Sequence, residues 1–201
     1  MRGLLAFLLL ALLPTAARAD DDHYQDGSKK DAEMGIALLA VQRGVEPGRP
    51  GQGYGFRVSQ HAHFGRKFGT EVGFGVVSGQ DRRGYYRTDL EFLMPAFVFR
   101  VPTKGKVQPF ASAGFVMTTS FFTGEELPKM YPFVYAGMQS AAGLEVRTSK
   151  DLSWIFQVAT TLRGRFTVEK DDRPFMSAHP GFDTWTRTVH ETTFSAGVAL
   201  F

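Results

Sequence analysis

Between Tyr54 and Phe64 the chain alternates with a period of two. Tyr54, Phe56, Val58, Ala62 and Phe64 share one parity, while Gly55, Arg57, Ser59, His61 and His63 share the other. Gln60 is the polar exception on the apolar parity. Successive side chains of a strand point to opposite faces, so such a segment is a strand with one greasy face and one wet face. The division recurs along the chain. Thr70, Val72, Phe74 and Val76 stand against Gly69, Glu71, Gly73 and Gly75. Met138, Ala142, Leu144 and Val146 stand against Gln139, Gly143, Glu145 and Arg147, and Trp154, Phe156, Val158 and Leu162 against Ser153, Gln157, Thr161 and Arg163. No stretch after Glu33 sustains a 3.6-residue apolar period, which argues against helices. Eight strands are predicted, over 32–43, 53–65, 69–79, 86–101, 106–120, 132–147, 152–166 and 187–201.

Strands of this kind close into one of two barrels. A soluble ligand-binding barrel turns the apolar parity inward. A membrane barrel turns it outward and fills its lumen with polar groups. The glycines separate the two. Gly55, Gly65, Gly69, Gly73, Gly75 and Gly143 all fall on the charged parity. Eight strands enclose only enough room for side chains, so a lumen holding arginines and glutamates needs small neighbours. An outer polar face has no such need. The sequence therefore predicts an all-β, eight-stranded antiparallel up-and-down transmembrane β-barrel. Arg57, Glu71, Glu145, Arg147 and Arg163 are expected to form a lumenal charge network. On the opposite parity these arginines would meet acyl chains, at about 2–4 kcal/mol each near the midplane.

The predicted connections run 44–52, 65–68, 79–85, 102–105, 121–131, 148–151 and 167–186, alternately longer and shorter. Outer-membrane barrels have this pattern, with loops on one side and tight turns on the other. Two strands are less clean. Residues 34–39 are apolar on both parities, and Pro95 predicts a bulge or bend because it cannot donate to a ladder.

The beginning of the chain has the form of an export signal: Arg2, an apolar run from Leu4 to Leu13, and Ala17-Arg18-Ala19 before Asp20. Residues 1–19 are read as a cleaved signal peptide, 20–31 as a flexible periplasmic lead-in and 32–201 as the barrel domain. The apolar run, interrupted by Pro14, is too short for a membrane-spanning helix. Loss of Arg2 and Arg18 brings the 23 basic side chains nearly level with the 20 acidic ones, so no nucleic-acid partner is indicated. The chain has no cysteine, which excludes disulfides and thiol chemistry.

The last strand ends as TTFSAGVALF (192–201). Together with QPFASAGF (108–115) and AAGLEVRTSKDLSWIFQ (141–157), it resembles the small eight-stranded outer-membrane barrels of the OmpA/OmpX type. The resemblance covers essentially the whole of 32–201. It implies a Gram-negative outer-membrane location reached by the general secretory pathway, with outer-membrane lipids and lipopolysaccharide as surroundings. It also implies termini toward the periplasm and recognition of Phe201 as an assembly signal by the barrel-assembly machinery. The function it implies is a structural, surface-display scaffold whose loops serve adhesion or surface interaction. A general porin is not expected, since eight strands leave no aqueous channel. One departure stands out: counting back from Phe201 in twos reaches Ala199, Gly197 and Ser195, whereas Leu200, Val198, Ala196 and Phe194 form the apolar parity. Either a bulge shifts the register near the end, or Phe201 lies at the interface while the other parity faces lipid.

Some residues point to chemistry. His61 and His63 share a face, and Glu71 on the next strand offers a third ligand of the kind zinc takes. The alternative is a pair of hydrogen-bonded lumenal histidines. His190, Glu191 and Ser195 form a loose base, acid and nucleophile set, which keeps a lipid-modifying enzyme open as the second reading. No histidine is followed two residues later by serine, the arrangement of outer-membrane deacylases. No cofactor is expected, because the glycines form no phosphate cradle. The stretch 167–186 carries Phe175, Phe182 and Trp185 among charges. It is the candidate for binding an extracellular ligand, with anchoring of the rings at the lipid headgroups as the alternative.

Overall fold

The computed structural model describes residues 33–44, 52–65, 67–80, 85–124, 127, 129–167 and 186–201. The segments read as signal peptide and lead-in, and Phe175, Phe182 and Trp185, lie outside the described residues. Eight strands are present: β1 (Glu33–Gly44), β2 (Gln52–Phe64), β3 (Phe68–Gln80), β4 (Tyr86–Arg100), β5 (Val107–Thr123), β6 (Tyr131–Arg147), β7 (Leu152–Thr167) and β8 (Thr188–Leu200). Each pairs antiparallel with its sequence neighbours, and β8 closes on β1, so the sheet has no edge.

The apolar parity faces out. Met34, Ile36, Phe56, Phe97, Phe115 and Leu162 all keep close to half or more of their surface exposed. Arg57, Glu71, Glu145 and Arg163 are buried inside. From Tyr54 to Phe64, at about 3.3 Å per residue and a tilt of about 40°, the outer face rises roughly 25 Å, the height of a membrane barrel's apolar band.

The small residues of the inner face answer to crowding. A Cβ on Gly53 would lie 2.9 Å from the Arg43 guanidinium, and one on Gly55 would lie 1.8 Å from the Val76 carbonyl oxygen. Gly65 is different. It sits in the turn after β2 with φ of 68° and open space around it, so backbone conformation, not lumenal crowding, calls for glycine there.

The two ambiguous strands are resolved by what they face. The inner residues of β1, Ala37, Leu39 and Val41, are buried, and the first two join Ile155 and Ala199 in a lumenal apolar cluster with Phe110 and Phe201. Apolar residues on both parities are thus compatible with a strand whose inner side lies in this part of the barrel. In β4 the pairing with β5 shifts between Leu93 and Phe97, and Met94 and Pro95 both face outward. Above this bulge Arg87, Asp89 and Glu91 point inward; below it Ala96, Val98 and Arg100 do.

Two expectations change. The connection 81–85 is no longer than 101–106. β3 and β4 pair out to Gln80 and Tyr86, with the Ser78 and Thr88 hydroxyls 2.8 Å apart, and this trims the loop. β8 pairs with β7 and β1 without any shift, so no bulge reconciles its end. Leu200 and Phe194 face outward, and the Phe201 ring turns into the lumenal cluster. Gly35 makes room for it, since a Cβ there would be 2.5 Å from the ring.

Candidate functional site

The lumen holds two charge layers, one toward the end that bears 45–51, 81–85, 124–130 and 168–187, the other toward the short turns. In the loop-side layer Asp89 takes hydrogen bonds from Arg43 (2.6 Å), Arg87 (2.8 Å from Nε to Oδ1) and Arg163 (2.8 Å). Glu191 accepts from Arg87 at 2.6 and 3.0 Å and from Arg163 at 2.6 Å. Glu91 accepts from Arg57 at 3.2 Å and Arg163 at 3.1 Å. Four strands, β1, β2, β4 and β7, contribute arginines to this layer, so the ion pairs tie distant parts of the sheet together.

Above these pairs stands an aromatic cap. Phe122, Tyr131, Phe133, Tyr135 and Val189 form a buried cluster on β5, β6 and β8, with Tyr85 and Leu127 packed against it. Guanidinium groups lie over its rings: Arg165 is 5.1 Å from the Phe133 centroid, and Arg87 and Arg163 are 5.8 Å from Phe122 and Tyr135.

The turn-side layer is built on Glu145, which accepts from Arg100 at 2.6 Å, Ser153 at 2.9 Å and Arg147 at 3.3 Å. Arg147 continues to Glu33 at 3.0 Å, and its guanidinium lies 5.7 Å from the centre of the Phe201 ring. The five charges expected to form one network therefore fall into separate groups. Arg57 and Arg163 belong to the loop side, Glu145 and Arg147 to the turn side. Glu71 contacts neither arginine group: His61 approaches it at 4.0 Å, and Oε1 accepts no hydrogen bond.

The proposed zinc ligands do not converge. His61 Nε2 is 2.9 Å from Ser59 Oγ, whereas His63 Nε2 is hydrogen-bonded to the Arg100 guanidinium and its Nδ1 lies 3.9 Å from Glu33. A cation already stands where a metal would have to sit. Asp89, Glu91 and Glu191 do bring carboxylate oxygens within 4.8 Å of one another, but arginines fill the space between them. The set His190, Glu191 and Ser195 also fails to assemble. His190 is exposed on the outer face, while Glu191 and Ser195 point inward.

Sequence parity missed Arg43, Arg87, Asp89, Glu91, Arg100 and Glu191. For β4 the missing signal was available: Arg87, Asp89 and Glu91 keep one parity, Arg100 the other, and Pro95 lies between.

The closed eight-stranded antiparallel sheet has counterparts among solved structures. The crystal structure of Neisserial surface protein A superposes with a TM-score of 0.55 at 11% identity, covering 84% of this chain and 97% of that one. Its fold is that of the small outer-membrane β-barrels. Ail, the attachment invasion locus protein of Yersinia pestis, matches this barrel with a TM-score of 0.50 at 12% identity, over 84% of this chain and 96% of its own. No family model matches the barrel's sequence, and no curated protein does.

Proposed function

We propose that the protein is a non-conducting scaffold of a Gram-negative outer membrane that holds its longer loops at the cell surface for adhesion or another surface interaction. The observation that carries this reading is the filled lumen. Two ion-pair layers, an aromatic cap and the Phe201 cluster leave side chains where a channel would need water, while the outer face suits hydrocarbon. The attachment named for Ail is a precedent for what loops on such a scaffold do. By family resemblance, Phe201 serves as the assembly signal and lipopolysaccharide surrounds the loop-side rim.

The test has two arms. The full-length protein, refolded in lipid vesicles and fused to a planar bilayer, should show no steady conductance, and its gel mobility should change on boiling. Replacing 168–187 by a short Gly-Ser turn should keep that mobility change and abolish binding of intact cells to host-cell or matrix surfaces. Steady channels would overturn the scaffold, and undiminished binding would overturn the role of this loop.

A further inference from the structure

The seam between β8 and β1 is closed by backbone over most of its length and by one ring at its turn-side end. Its ladder runs from Gly44–Thr192 down to Ile36–Leu200. β1 continues past that point to Glu33, still paired with β2. A strand edge left there would invite fraying and foreign pairing. Phe201, one residue past β8, donates its N–H to the Asp151 carbonyl in the β6–β7 turn at 3.0 Å and sends its ring the other way. The ring lies against the Gly35 α-carbon: a Cβ there would meet Cδ1 at 2.5 Å and Cε1 at 2.8 Å. It stands 5.0 Å from the His63 ring on β2, and the Arg147 guanidinium of β6 lies over it at 5.7 Å.

These neighbours come from strands that only closure brings together with β8. Until β8 reaches β1, the ring has neither Gly35 to lie on nor His63 beside it. A ring laid over a glycine of the facing strand supplies the packing that glycine lacks. This ring also packs on Ala37, Ile155 and Ala199 inside the lumen, so leaving the notch uncovers apolar surface on both sides. We propose that Phe201 is the latch of the barrel: its ring seats on Gly35 when β8 closes on β1, and the seam opens from its turn side only after the ring has left. The Arg147–Glu33 ion pair, 3.0 Å long, ties β6 to β1 beside the notch. The loop-side end of the seam is built differently. There Phe194 lies near Gly44 on the lipid face, where a Cβ would be 3.2 Å from its Cε2. Acyl chains take the place of Phe194 when it moves, whereas nothing apolar replaces Phe201 in the lumen.

Hydrogen exchange of the full-length protein in lipid vesicles, with no assembly machinery present, is the test. In the unmodified protein, amides of 36–39 and 197–200 should exchange as slowly as those of 40–42 and 194–196 in the middle of the seam, because a latched end does not fray. Phe201→Ala should speed the turn-side set by about thirtyfold, the weight of a phenylalanine ring withdrawn from apolar contact, and leave β4 and β5 unchanged. Phe201→Tyr, which keeps the ring, should restore slow exchange. Phe194→Ala, the matching loss on the lipid face, should alter 42–44 and 192–194 by less than about threefold. Exchange that quickens toward Ile36 and Leu200 in the unmodified protein overturns the latch, and that arm needs no variant to fold. So does Phe201→Ala exchanging at the unmodified rate, or a speed-up spread evenly over all eight strands. The role of Phe201 as an assembly signal stands or falls separately. Poor insertion of Phe201→Ala in cells with normal exchange in vesicles keeps that role and removes the latch; normal insertion in cells with a frayed seam in vesicles does the reverse.

Discussion

Asp89 and Glu145 are both buried carboxylates at opposite ends of one lumen, yet they are held in different ways. Asp89 sits in a mesh: Arg163 bonds three acids, Arg87 bonds two, and Arg43 and Arg57 close the sides. Glu145 sits in a chain that runs from Arg100 through Glu145 and Arg147 to Glu33, with its far end partly open to solvent. Burying a charge is costly unless partners surround it, so the mesh is a place where every member depends on the others. The chain can lose an outer link to water at small cost.

The largest effect should come from Asp89→Asn. It leaves three guanidinium groups converging on a neutral amide, and breaking a buried pair in this way costs about 3–5 kcal/mol. A fall in the urea midpoint of the refolded barrel at unchanged slope would measure it. Arg163→Met should cost less, about 2–3 kcal/mol in the same assay. Its removal leaves three arginines facing three acids, so no charge is left over, and the loss is of its hydrogen bonds to the acids and to Thr118 and of its contact with the Tyr135 ring. If Arg163→Met proved the more damaging of the two, charge balance would not be what organises the mesh.

The mesh also shows how far sequence alone reaches. Where both parities are distinct, as in β2, β6 and β7, the inward placement of Arg57, Glu145 and Arg163 follows from counting by twos. β4 defeats that count, because the bulge at Met94 and Pro95 exchanges its faces midway. In β1 the parity of Arg43 is hidden by a strand whose inner and outer sides are both apolar. Which acid meets which arginine depends on the stagger of strands around the closed sheet, and no local pattern encodes that. The aromatic cap was illegible for a related reason: inward Tyr131, Phe133 and Tyr135 look the same in sequence as lipid-facing rings.

Two smaller effects sharpen the comparison. Asp89→Asn combined with Glu145→Gln should be additive within about 0.5 kcal/mol, as expected of layers that share no partner. A larger coupling would mean that the lumen is one network after all. Arg147→Ala should cost under about 1 kcal/mol and lose most of that in high salt, because the pair with Glu33 is partly solvated.

The bulge in β4 makes that strand a molecule with two reading frames. Deleting Pro95 would remove the one residue by which β4 exceeds both of its neighbours between Leu93 and Phe97. The two frames would merge into one: Phe97 and Phe99 would still face the lipid, and Arg100 would still reach the lumen. The shortened strand should therefore still close the barrel, and the heat-dependent mobility change should survive the deletion.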